Sequence, residues 1–277
     1  NQCAILCVCA KESNFIKFDE YSYRNTNAGN LGYLFPKRLG KYLKSKAGGN
    51  ILNEKQYEII KTGRATKNGV RSTSVSYKKA NEFIGTRENE NPLFTKIKKD
   101  DRLFYDIIYG YIANQNGKFT WNVSKSNKWG YTAEQCKLNA QNNPNLSMPQ
   151  YYNGLIAPGD GWMYRGRGFN HITFKKTYAR YAWETGVDVL ADPEILTNDL
   201  NKAALFAAKF FPSLYKKVKQ ESNDPKTIIG DTEATKFESK ERAIRWMTSV
   251  NGGGGLKPLD DGNLIKAMSY INIFEVI

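Results

Sequence analysis

Residues 159–173 read Gly159-Asp160-Gly161-Trp162-Met163-Tyr164-Arg165-Gly166-Arg167-Gly168-Phe169-Asn170-His171-Ile172-Thr173, and a helical pattern follows at once from Phe174. Glycines at 159, 161, 166 and 168 permit positive φ and let the backbone approach a ligand with no Cβ in the way. Tyr164, Arg167, His171 and Thr173 alternate with them, so a tight turn presents polar side chains. This composition suits a saccharide, which calls for backbone donors, hydroxyls and an aromatic wall. It does not suit a dinucleotide, because no β-rich run precedes the glycines and the spacing is not G-x-G-x-x-G. A glycine-rich surface loop capping a helix accounts for the same letters.

Outward from this stretch the apolar periodicity is helical. Thr173 is the expected N-cap of a helix over 174–185 that closes at Gly186. Asn198 is expected to cap a helix over 199–211, whose Ala203, Ala204, Phe206, Ala207, Phe210 and Phe211 nearly encircle it and make it central. Helices at about 239–250 and 262–275 flank the glycines 252–255, and 220–238 reads as a polar loop. Upstream, 140–160 is rich in Asn, Pro and Gly and reads as a loop. Thr132-Ala133-Glu134-Gln135 fits a capping box, and 119–131 a small hairpin. Asp101 to Ala113 carries a strong apolar face. Asn53–Arg64 and Ser74–Ile84 are short amphipathic helices, 31–45 is a helix limited by Pro36, and 1–13 is an apolar helix ending at Ser13-Asn14. No repeat and no strand–helix alternation is present. The expected fold is mainly α.

The 277 residues, 40% hydrophobic and 13% aromatic, describe a folded chain rather than a disordered one. The net charge of +14 is spread along the length and attracts polyanions generally. Nucleic acid is one candidate, although no binding signature accompanies the charge; a bacterial cell wall with its carboxylates and phosphates is the other, beside plain solubilising lysine. Cys3 and Cys7 are one helical turn apart; with Cys9 and Cys136 they lack a nearby histidine, so free thiols are expected rather than a metal site, and no cofactor is implied. No run approaches the ~20 apolar residues of a membrane span. The chain begins at Asn1 inside a helical pattern, as a segment of a longer or processed polypeptide would.

Several motifs occur in a set order. The glycine stretch, Ala10-Lys11-Glu12-Ser13-Asn14-Phe15, Asp19-Glu20-Tyr21-Ser22-Tyr23, Leu34-Phe35-Pro36-Lys37-Arg38, Gly186–Pro193 and Val250-Asn251-Gly252-Gly253 resemble the signatures of family 19 glycoside hydrolases, closest to the endolysins of phage and bacteria. Two positions depart: Lys11 stands where the family has histidine, and His171, the only histidine of the chain, where it has glutamine. The resemblance implies a lysozyme-like multi-helix domain over 1–277 with a catalytic cleft, and 46–100 falls outside it as a helical insertion. It implies hydrolysis of β-1,4 bonds between N-acetylated amino sugars of peptidoglycan, with a chitinase or a non-cutting glycan-binding module as alternatives. It further implies action at the bacterial cell wall, as a virion-associated protein beside other phage proteins or as one released at lysis.

Such hydrolysis takes one protonated and one ionised carboxyl group. Glu12 ends an apolar helix, where partial burial would keep a proton on it. Glu20 lies in a polar segment, with Asp19 as the neighbouring candidate. On one straight helix the two would stand ~12 Å apart along the axis, beyond the roughly 6.5–9.5 Å of an inverting pair. The helix is therefore expected to break at Ser13-Asn14. The resemblance makes Glu12 the general acid, Glu20 the general base and Thr173 the holder of the attacking water. By the same likeness Tyr164, Arg167, His171 and Asn251 contact the glycan, although Asn251 equally serves to turn the chain.

Overall fold

A computed structural model describes residues 2–16, 18–62, 73–109, 112, 158–221, 240–251, 259 and 261–274. The expected hairpin at 119–131, the capping box at 132, Cys136 and the 222–238 loop lie outside them. The described residues are mainly helical. In chain order the helices are α1 (Gln2–Ser13), α2 (Ala28–Leu34), α3 (Arg38–Leu43), α4 (Glu54–Thr62) and α5 (Thr73–Ile84). Next come α6 (Pro92–Lys99), α7 (Asp101–Tyr109), α8 (Asp160–Met163) and α9 (Lys175–Thr185). The last are α10 (Ile195–Asn198), α11 (Leu200–Glu221), α12 (Lys240–Asn251), α13 (Gly262–Met268) and α14 (Ile271–Phe274). β pairing among the described residues is confined to two isolated bridges, Asp19 with Arg167 and Arg167 with Ile172. No helix among them is long and apolar enough to cross a membrane.

The chain divides into two compact units. The first contains α1 and α9–α14. Ala4, Cys7 and Val8 of α1 are buried in a core with Tyr178 and Tyr181 of α9, Phe206 of α11, and Ile244, Trp246 and Met247 of α12. The α1 helix stops where expected. Asn14 and Phe15 take φ of 49° and 56°, and the Asn14 N–H still reaches back to the Ala10 carbonyl at 2.8 Å. Asparagine enters the left-handed region readily; phenylalanine does not, and Phe15 is held there by packing edge-on against Phe169 and Phe274. At the end of α9, Gly186 adopts φ 74° and returns its N–H to Ala182, the left-handed stop that the sequence signals.

Three expectations change in this unit. Thr173 does not cap α9: Phe174 occupies the cap position with φ 74° and ψ 130°, and no side chain bonds the helix start. Asn198 ends the short α10, and Asp199 takes over at α11, its Oδ1 accepting the Lys202 N–H at 3.0 Å. Nor is α11 encircled by core. Ala203, Phe206, Ala207 and Phe210 are buried, while Leu200 and Leu205 are 53% and 38% exposed.

The second unit contains α2–α8. The 46–100 stretch contributes α4, α5 and α6, which share one core with Leu31, Leu39 and Leu43 of α2 and α3 and with Phe104, Ile107 and Ile108 of α7. The expected 31–45 helix is two helices, interrupted at 35–37 around Pro36. Close packing of α2 on α5 requires Gly32, since a Cβ there would lie 2.4 Å from that of Ala80. Asn53 and Gln56 cap α4 reciprocally at 2.9 Å. The α6 helix, not anticipated, begins with Asn91 as cap and Pro92 in the first turn, a start signal the surrounding lysines obscured. Asp106 of α7 accepts the N–H groups of Gly159 and Gly161 at 2.8 and 2.9 Å and so anchors α8, a helical turn that starts where the expected 140–160 loop ends.

Candidate functional site

The glycine stretch serves two separate purposes. Gly159 and Gly161 belong to the second unit, where a Cβ at 161 would sit 2.4 Å from the Tyr105 carbonyl oxygen. The small size of Gly161 serves packing on α7, whereas Gly159 has open space around it and meets a backbone need, its φ of 89°. Residues 164–173 belong to the first unit together with 2–20. There Arg167 and Ile172 exchange both backbone hydrogen bonds, at 3.2 and 3.0 Å, and close a tight turn over 168–171. Gly168 and His171 lie in the left-handed region, at φ 75° and 47°. On the other side of Arg167, the Gly168 N–H donates to Phe18 and the Glu20 N–H to Gly166, at 2.9 and 2.8 Å. Phe18 and Phe15 both pack on Phe169 at the tip of the turn.

This pairing buries two residues expected to touch substrate. The Arg167 side chain is 1% exposed and bonded to Glu194, with Asp19 at 3.8 Å. Arg165, 7% exposed, pairs with Asp19 and lies 3.8 Å from Glu194. Two cations between two carboxylates form the base on which the turn rests. Tyr164 is 4% exposed; its hydroxyl donates to the Leu190 carbonyl at 2.9 Å, and its ring packs on Tyr178. Burial pushes the Tyr178 phenol well above its ordinary range, so it stays neutral and donates to the Arg165 carbonyl at 2.7 Å. Tyr164 and Arg167 are thus framework and not a glycan wall; a buried, bonded side chain presents nothing to solvent. Asp19 is engaged in the same framework, which separates it from its neighbour.

Glu20 is placed differently. Its Oε2 accepts the Gly166 N–H at 2.9 Å. A Cβ on Gly166 would meet that oxygen at 3.1 Å and the Cβ of His171 at 3.2 Å. Glu20 and His171 therefore flank the same glycine, which has to be small for both to fit. His171 is half-buried, as is Thr173, which follows the bridge residue Ile172 and precedes Phe174. The Thr173 hydroxyl takes no hydrogen-bond partner among the described residues.

Glu12 lies at the other end of the 12–20 segment, on the last turn of α1. The Asn251 amide, at the end of α12 and 239 positions away in sequence, donates to Glu12 Oε1 at 2.7 Å. The Lys11 ammonium pairs with the same oxygen. Oε2 takes no partner among the described residues, and the side chain is 19% exposed. Tyr270 fixes the turn that follows, its hydroxyl donating to Asn14 at 2.9 Å. Beneath it, the Cys9 thiol is pushed from the ordinary 9.0 to about 12 by burial and then by the Glu12 charge. The Cys7 thiol is pushed to about 12 by burial and then by Cys3, whose sulfur is 4.0 Å away.

The first unit thus joins Glu12 to Asn251, and Glu20 to Gly166 and His171. Among the described residues no group of three His, Cys, Asp or Glu side chains is arranged to hold a metal ion. The framework residues Arg165 and Glu194 were not anticipated. The letters Arg165-Gly166-Arg167 signal two adjacent cations, but nothing in them tells which acids neutralise them. Comparison with protein-family models, curated proteins and solved structures finds no match to this chain.

Proposed function

We propose that the chain is a peptidoglycan hydrolase of lysozyme type, cleaving β-1,4 bonds between N-acetylated amino sugars with inversion at the anomeric carbon. The observation that carries this reading is the Asn251–Glu12 hydrogen bond at 2.7 Å. It joins two short motifs from opposite ends of the chain at one carboxyl group whose other oxygen has no partner among the described residues. In this reading Glu12 delivers a proton from Oε2 to the leaving oxygen while Asn251 orients Oε1. Glu20, oriented by the Gly166 amide, activates water on the opposite face of the sugar. The free hydroxyl of Thr173 positions that water, and His171 contacts the glycan. The +14 charge favours approach to the anionic wall, where the protein acts either as part of a virion or after release at lysis.

A second reading, a module that binds glycan without cutting it, is favoured by Lys11. Its ammonium ion-pairs with Glu12 Oε1 and gives that carboxyl a role that needs no proton transfer. Digestion of purified sacculi separates the two. The native chain is expected to release soluble fragments, Glu12→Gln to lose about 10²–10⁴ in rate while still pelleting with sacculi, and early product to show inverted configuration by proton NMR. A native chain that pellets without clearing rejects the hydrolase, and equal clearing by Glu12→Gln rejects Glu12 as its acid. Retained configuration rejects the roles given to Glu20 and Thr173. Chitin oligomers digested in parallel fix the sugar preference.

A further inference from the structure

The second unit holds a pocket of about 150 Å³ between α3, the turn that follows it, and α7. Ile107, Ile112 and the ring of Tyr42 make its apolar floor, and Arg38, Lys41 and Lys44 stand around it. Ile107 is fully buried, whereas Arg38 and Lys41 reach solvent. The three cations are not equivalent. Lys44 is matched by Glu54 at 2.6 Å and lies 4.5 Å over the Tyr57 ring. Arg38 is oriented by its bond to the Ile108 carbonyl at 2.6 Å, which fixes its guanidinium beside the pocket. The Lys41 ammonium makes no ion pair or hydrogen bond among the described residues.

We propose that this pocket binds a small organic anion with an apolar body, of the class of aromatic or short-chain carboxylates. The volume is the argument for size: an apolar cavity of about 150 Å³ accepts a benzene-sized ring. The floor offers such a ring no polar partner, so affinity for the body comes from burying apolar surface. The charge distribution is the argument for the head group. A carboxylate over the floor meets Lys41, whose charge is unmatched, beside a guanidinium held in place, and charge-assisted hydrogen bonds are about twice as strong as neutral ones. Neither half of such a ligand suffices alone. Inorganic anions leave the floor wet, and neutral rings leave Lys41 unmatched. This site belongs to the second unit and is independent of the hydrolase reading.

Titration calorimetry of the full chain with benzoate, acetate and benzyl alcohol tests it. Benzoate is expected to bind one-to-one with a Kd of about 1 mM or tighter. Acetate, the head without the body, and benzyl alcohol, the body without the charge, are each expected about tenfold weaker. Lys41→Gln removes an exposed charge that holds nothing else in place. It is expected to weaken benzoate about tenfold and to leave benzyl alcohol unchanged. The proposal is overturned by any of three results: no saturation with benzoate up to about 10 mM, ten times the expected Kd; benzyl alcohol binding as well as benzoate; or benzoate affinity unaltered by Lys41→Gln.

Discussion

Two clusters of charge lie in the same unit and are built on opposite plans. Beneath the glycine turn, Arg165 and Arg167 are 7% and 1% exposed and face Asp19 and Glu194, so each cation there has an acid. At the end of α1, Glu12 keeps one oxygen unpartnered beside a lysine and an asparagine. The first cluster matches cation with acid and holds the backbone in place; the second keeps an oxygen with no partner among the described residues. Both draw on residues of the short motifs, with Glu194 added to the first from outside them. Burial and partner count separate framework from site, and neither is written in a motif.

The largest effect that would break this contrast is on stability. Arg167→Met takes the bonded counter-charge from Glu194 while Arg165 still faces Asp19, and loss of a hydrogen bond to a charged group costs about 2 kcal/mol. Urea denaturation is expected to show that loss. A variant as stable as the native chain would mean that Arg167 is not framework and would return it to the candidate ligand contacts. Alkaline pH probes the core under Glu12. The Cys7 and Cys9 thiols stand at about 12 in the folded chain and near 9 when exposed. Between those values the unfolded chain loses protons that the folded chain keeps, so stability present below pH 9 falls as pH rises toward 12. Cys9→Ala is expected to flatten that fall in a series of urea titrations, and an unchanged slope would contradict it.

Smaller effects sharpen the other side of the contrast. Gly166→Ala inserts a methyl group 3.1 Å from Glu20 Oε2 and 3.2 Å from the His171 Cβ. It is expected to cost about 1 kcal/mol by overpacking and to lower sacculus hydrolysis about tenfold, because Glu20 has to shift. Hydrolysis at the native rate would show that Glu20 placement is unimportant. Asn251→Ala removes one partly exposed hydrogen bond to Glu12 and is expected to cost about 1 kcal/mol in urea denaturation. A loss several times larger would place Asn251 with the framework.

Much of the helical content was legible because it rests on local signals. The end of α1 follows from Ser13-Asn14, the end of α9 from Gly186, and the buried face of α7 from Phe104, Ile107 and Ile108. What failed was decided by tertiary contact. Ala204 and Leu205 look like core letters in α11, yet both are exposed, Leu205 at 38%. The two-arginine framework requires Asp19 and Glu194, which lie 146 and 27 positions from the arginines they bond. No periodicity connects residues so far apart. The cap of α9 was missed for a backbone reason: an aromatic residue at φ 74° is disfavoured locally, and the sequence offers threonine as the better choice.

That last miss makes the sharpest small prediction. Had Thr173 capped α9, its replacement by valine would have cost about 1 kcal/mol, and any loss of activity would have been confounded with loss of structure. With Phe174 in the cap position and the Thr173 hydroxyl unbonded among the described residues, the two effects come apart. Valine has nearly the same volume and shape, and no hydrogen bond is broken in the folded state. Thr173→Val is therefore expected to change stability by less than about 0.5 kcal/mol, while hydrolysis of sacculi falls because the attacking water loses its hydroxyl partner. Thr173→Ser restores the hydroxyl and is expected to hydrolyse like the native chain. Native-like hydrolysis by Thr173→Val would remove Thr173 from the site, and a stability loss of about 1 kcal/mol in urea would mean that the hydroxyl caps the helix after all.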